Sequence, residues 1–442
     1  MLTILSPSAN VGVKTLKSFL MKKLVLLSFL LICSVLTTAQ EYSILVKGGH
    51  VIDPKNNINE LMDVAILDAK VVAVAKNIDI KKAAQVIDAK GMYVTPGLID
   101  MHSHNFFGTE PDHYLGNGLE ALPPDGFTFK AGVTTVVDAG GAGWKTFDAF
   151  KTQTIDHAKT RVLSFLNIVG EGMRGGAYEQ NLSDMDSKMT AMVVKQHKEI
   201  IVGIKVAHYV GGEWDPVDRA VAAGKVANVP VMIDFGGNNP PLSIQELFTK
   251  HLRPGDIFTH TFAELTSREA IVDSQGKIRP FVVEAQKNGI VFDVGHGGGS
   301  FRFSQAIPAL KSGFIPNTIS TDLHTGSMNA GMKDQLNVIS KFLNIGMNLQ
   351  QVIAASTWLP AKVIHREDLG HISTGAVADV AIFSLLKGKF GFIDSGGFSM
   401  QGDQKLQCEL TIREGKVVYD LNGISRPAWD APSTTSNTAK PK

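Results

Sequence analysis

Between residues 96 and 372 the chain repeats one pattern eight times: a compact, β-rich apolar run followed by a longer segment compatible with a helix. The runs end at His104, Asp138, Ile168, Lys205, Asp234, His260, Val294 and Asp322. Strands separated by helices pair in parallel, and eight such units close into a (β/α)8 barrel of the TIM type. Active sites of that fold lie where the strands run out into βα loops, so polar residues at the run ends become the candidates.

The flanks read differently. Residues 41–95 carry short strand patterns separated by turns, and similar patterning returns over 373–425. Neither piece has enough strands to bury a core by itself. The two are therefore expected to combine into a small, discontinuous β-sandwich beside the 96–372 barrel, in a chain that is α/β overall. Residues 426–442, rich in Pro, Ser, Thr and Lys, read as a disordered tail.

One long apolar run, residues 24–35, follows Met21, Lys22 and Lys23 and precedes a short stretch ending at Ala39. This is the order of a secretory signal, and about 12 apolar residues fall short of the roughly 20 needed to span a bilayer. The expectation is a signal peptide over residues 1–39 and an exported, periplasmic protein. Its removal takes Cys33 and leaves Cys408 alone, so no intrachain disulfide can form. The 43 basic and 42 acidic residues nearly cancel, and the body has no basic run. Nucleic acid is not an expected partner, nor is a membrane after signal cleavage; a small-molecule substrate is, and homo-oligomerisation is left open.

His102 and His104 stand two apart at the end of the first barrel run, where strand alternation turns both imidazoles to one side. Two converging imidazoles suit a divalent metal such as zinc, although alone they equally suit a hydrogen-bonded core pair. Lys205, Asp234, His260 and Asp322 stand at later run ends. Each alone reads as a cap, a turn or a surface ion pair. Together they would face one mouth.

With these residues in place the chain resembles the metal-dependent amidohydrolase superfamily. The resemblance rests on LVKGGHVIDP, VTPGLIDMHSH, VGIKVAH, GDIFTHTF, FDVGHGGGSF, ISTDLHTGS and TGAVADVAIF. FDVGHGGGSF with ISTDLHTGS is most similar to the dihydroorotase-related amidohydrolase/deacetylase branch. The resemblance implies two divalent metal ions, expected to be zinc, with His102, His104 and Asp322 on one and His260 with a strand-five residue on the other. Lys205 would bridge them as a CO2-derived carbamate, since an ammonium has no lone pair to give. Where the family has a strand-five histidine, PVMIDFGG supplies Asp234. A carboxylate there adds negative charge and harder character, which suits manganese or another hard ion at the second site.

The implied reaction is hydrolysis of a small amide or ester by a metal-bridging hydroxide, deacetylase-like, with Asp322 as the proton shuttle. A cyclic amidase of the dihydroorotase type is the close alternative, and a non-catalytic metal- or ligand-binding descendant is the alternative of another class. Candidates for substrate contact are His296 and Gly298 in the loop after the seventh run, whose N–H groups suit an oxyanion, and Arg302 and Arg174 as carboxylate partners. No P-loop, dinucleotide fingerprint, GxSxG elbow or CxxC pair offers another catalytic machine.

Overall fold

The computed structural model describes Thr3 and residues 40–108, 121–234 and 241–430. The expected signal peptide and most of the expected tail lie outside these residues.

Strands β6 (Leu98–Ser103), β7 (Val133–Gly143), β8 (Arg161–Asn167), β9 (Ile201–Val206), β10 (Val231–Ile233), β11 (Ile257–Phe258) and β12 (Val291–Phe292) lie side by side in chain order, every pair parallel. Helices on the outside and side chains on the inside cover both faces, which is why nearly every strand residue is buried. Ile99, Met101, Val137, Leu163, Phe165, Val202, Met232, Ile257 and Val291 belong to one cluster drawn from all seven of these strands, closed at one end by Ala361, Ile364 and Leu369. That cluster is the barrel interior.

The eighth run does not form a regular strand. Thr318 bridges Asp293 beyond β12, and Leu323 bridges Ser103 on β6, so residues 318–323 close the ring through isolated bridges. Asp322 interrupts the ladder because its backbone is left-handed, at φ 57°.

The surrounding helices start and stop where side chains satisfy their ends. Asp186 caps Ser187–Gln196 by accepting from the amides of Lys188 and Met189, and Asp334 caps Gln335–Ile345 through Asn337. Asp215–Ala227 begins with a proline in its first turn and ends at Asn228, φ 58°.

Beside the barrel, β1 (Tyr42–Asp53), β2 (Ile58–Leu67), β3 (Lys70–Ala75), β4 (Ala83–Asp88) and β5 (Tyr93–Pro96) join β13 (Val380–Ile393), β14 (Ser399–Arg413) and β15 (Lys416–Asp420) in one mixed sheet. The junction is direct: β5 pairs with β13 from Tyr93–Phe383 to Pro96–Val380. Val71 of β3 and Leu410 and Ile412 of β14 share one apolar cluster although they sit near opposite ends of the strand order. The sheet therefore folds over on itself into two layers. Among the described residues no helix is long and apolar enough to cross a membrane.

Candidate metal centre

The ladder register of β6 against β7 shifts between Asp100 and Ser103, a bulge of the kind that re-aims side chains. Beyond it His102 and His104 converge on Asp322. His104 Nε2 lies 2.8 Å and His102 Nε2 3.5 Å from Asp322 Oδ1, while His324 Nε2 lies 3.6 Å from Oδ2. The opposing side is built on Asp234, whose Oδ2 lies 3.1 Å from His260 Nε2, 3.3 Å from Lys205 Nζ and 3.9 Å from His208 Nε2. Lys205 joins the halves, with Nζ 3.1 Å from His102 Nε2. All six residues singled out as metal ligands in the sequence thus meet at one mouth.

Lys205 reaches this position because Gly140 makes room. A Cβ on Gly140 would lie 2.7 Å from Lys205 Cγ, and its φ of 89° already favours glycine. The lysine side chain is fully buried. Gly297 does the same for Asp322, where a Cβ would lie 2.6 Å from Oδ2.

The imidazoles are oriented from behind. His102 Nδ1 is 3.0 Å from the Thr259 hydroxyl, which donates its one proton to Asp293 at 2.7 Å. The ring must therefore donate from Nδ1, which leaves the Nε2 lone pair facing the mouth. Asp293 also accepts from Thr318 and Ser320, both at 2.6 Å. His260 Nδ1 donates to the Gly295 carbonyl at 2.5 Å, again presenting Nε2.

Electrostatics sort the groups by charge. Burial, helped by the Lys205 charge, holds His102 well below the usual histidine range, so its ring is neutral. Burial would push Asp234 and Asp322 up, but the closeness of His260 and Lys205 to the first, and of His102, His104 and His324 to the second, holds both well below the usual carboxylate range. At His208 desolvation works against the charge, but Glu179 and Asp234 outweigh it and raise the ring to about 9.

The four substrate-contact candidates are placed differently. His296 is fully buried, stacked on Phe301 with ring centroids 4.3 Å apart and 2.7 Å from Lys341 Nζ. Gly298 sits against the backbone of Ser327. Arg302 lies over Gly396 in the turn between β13 and β14. Arg174 lies 3.3 Å from Glu171 and over the ring of Tyr178. None of the four has an ion pair with the Asp234 or Asp322 cluster among the described contacts. Sequence reasoning left His208 and His324 unassigned and missed Glu179, Asp293 and Lys341.

The donor set fits divalent metal. Ligand atoms of His102, His260 and Asp322 lie within 4.8 Å of one another, all buried. Two imidazoles each hydrogen-bonded at Nδ1, together with a carboxylate at this spacing, are a donor set that suits a divalent ion.

Comparison with known proteins agrees with this chemistry. Residues 303–418 match the amidohydrolase family. A deacetylase of Brucella anthropi is 32% identical over 337 residues, covering 75% of this chain and 81% of that protein. A crystal structure of an adenine deaminase superposes with a TM-score of 0.76 at 28% identity, covering 86% of this chain and all of that one. A crystal structure of a dihydroorotase gives 0.74 at 27%, covering 85% and 99%.

Proposed function

The chain belongs to the amidohydrolase superfamily and is a hydrolase of small, non-peptide carbon–nitrogen bonds, and from that premise we propose that it removes an acyl group, acetyl foremost, from a small amide or ester. The observation that carries this is the division of labour on Asp322. Its Oδ1 faces His102 and His104, whereas Oδ2 stands over the side-chain-free Gly297. One oxygen is engaged with the strand-one imidazoles, and the other, with His324 Nε2 3.6 Å away, is the one placed to exchange a proton.

In this reading His102, His104 and Asp322 would hold one divalent ion, and His260 and Asp234 would hold the second. Lys205 would contribute to holding both as a carbamate, which its neutral amine would form by adding CO2 and releasing one proton. Such ions supply a lowered water pKa and polarise a substrate carbonyl. Asp322 takes the proton of the attacking water at Oδ2 and delivers it to the leaving amine or alkoxide. Thr259, Asp293 and Gly295 keep the rings in the tautomer that presents Nε2. Asp234 gives the second site harder character than an imidazole would, which suits manganese there beside zinc in the first.

The name of the Brucella relative supports acyl release, and the dihydroorotase neighbour supports ring opening of a cyclic amide as the second reading. A panel of N-acyl amino acids, acyl esters and cyclic imides with metal-reconstituted protein separates them. Acetate release from the first two classes is expected, and ring-opened product alone would overturn the deacetylase reading. The signal-like leader supports scavenging of acylated small molecules in the periplasm, tested by fractionating cells that express the full chain.

A further inference from the structure

Strand five lacks the imidazole that the family pattern puts there, yet an imidazole stands close to Asp234. His208, two residues beyond β9, brings Nε2 to 3.9 Å from Asp234 Oδ2. Donors each about 2.0–2.2 Å from one zinc-type ion lie at most about 4.4 Å apart, so the separation is that of two ligands sharing an ion at a wide angle.

We propose that His208 Nε2 is a ligand of the second divalent ion, supplying from the loop after β9 the imidazole that strand five has exchanged for Asp234. The inference rests on the two-ion reading above.

Three features separate it from an ordinary surface ion pair. First, His208 is held like two of the other ligand rings: Nδ1 donates to Glu179 Oε2 at 2.8 Å, as His102 Nδ1 does to Thr259 and His260 Nδ1 to Gly295. A ring fixed at Nδ1, whose Nε2 faces the mouth and can exchange its proton for a metal ion, is the arrangement of a metal-ligating histidine. Second, the anchor is built rather than incidental. The Glu179 side chain is only 2% exposed and also accepts from the Gly175 amide at 2.6 Å. Its neighbour Gln180 brackets the loop, donating to the His208 carbonyl at 2.8 Å and accepting from the Val210 amide at 2.9 Å. Third, His208 has a left-handed backbone at φ 55°, as do His260 at 54° and Asp322 at 57°. Such a conformation is strained for a residue with a side chain and persists where the surroundings enforce it. Here it occurs in three residues around one mouth. The His208 ring is 55% exposed, which puts it on the solvent side of the second ion.

The test uses the whole mature protein, stripped with a chelator and titrated with Zn²⁺ for metal content and Co²⁺ for its visible absorption. The wild type is expected to take two ions. His208→Asn should take the first as tightly as the wild type, which also reports that it is folded, and the second at least about tenfold more weakly, with an altered Co²⁺ spectrum. Adding Asp234→His to His208→Asn should restore the second ion, an outcome no merely structural role of His208 produces. A His208→Asn variant that binds the second ion normally, or a loss that Asp234→His leaves unrelieved, would overturn the assignment. A wild type that takes up no metal would instead overturn the reading on which it rests.

Discussion

His104 Nε2 and Asp322 Oδ1 stand 2.8 Å apart although 218 residues separate them in the chain. The contact spans the seam where β6 meets the irregular eighth run and the ring closes. Asp322 is thus both a closing residue of the barrel and the group that turns one oxygen to His102 and His104 and the other to His324. A site at this seam is fixed by strand ends rather than by a mobile loop, as precise proton transfer requires.

Replacing Asp322 by Asn keeps the shape and one oxygen acceptor but removes the proton-accepting oxygen. The folded variant is expected to retain bound metal while kcat for acyl release falls by about 10²–10⁴-fold. Steady-state kinetics on the metal-loaded variant check this, and a kcat within a few-fold of wild type would take Asp322 out of the shuttle role.

Gly140→Ala tests the space that admits Lys205. The added Cβ would stand 2.7–2.8 Å from Lys205 Cγ and Cβ, at a φ of 89° that alanine adopts only with strain. The expected result is a stability loss of about 1–3 kcal/mol together with about 10–100-fold weaker metal retention. Chemical denaturation and metal analysis read the two separately. Unchanged metal affinity would mean that Lys205 does not need this room.

Lys341 predicts a pH dependence. Burial lowers it from 10.5 to about 7, against Asp394, while its amine donates to His296 and to the Gly331 carbonyl, both at 2.7 Å. Below about pH 7 both folded and unfolded states carry the proton, and the cost of burying the ammonium is fully felt. Between about 7 and 10.5 the unfolded chain binds more protons than the folded one, so this residue makes stability climb with pH, by at most about 1.4 kcal/mol per unit. Lys341→Met should flatten that climb in urea unfolding measured across the window; an identical slope in both proteins would contradict it.

The barrel was legible in the sequence because each run is short, apolar and bounded, and because its chemistry stands at the strand ends. His102, Lys205, Asp234 and His260 follow directly from that placement. The eighth run was readable as a position but not as an irregular one, since the left-handed turn at Asp322 leaves no trace in residue type. The Thr259–Asp293 support was hidden for another reason: it is a hydrogen-bond chain between neighbouring strand ends, and residue identity alone does not say which hydroxyl donates. Glu179 lies 29 residues before His208, in a loop with no periodicity to place it. Arg302 and Arg174 have the right charge for a substrate carboxylate, and residue type alone does not tell that Arg302 lies over Gly396 and Arg174 beside Glu171.

The most direct test of the central claim, that these strand-end side chains assemble around divalent metal, is anomalous diffraction from crystals of the mature protein grown with Zn²⁺ and bicarbonate. The account predicts two anomalous peaks, one among His102, His104 and Asp322 and one beside His260 and Asp234, with carbamate density continuing from Lys205 Nζ between them. A map without peaks, with Lys205 ending as a plain ammonium against Asp234, would contradict it.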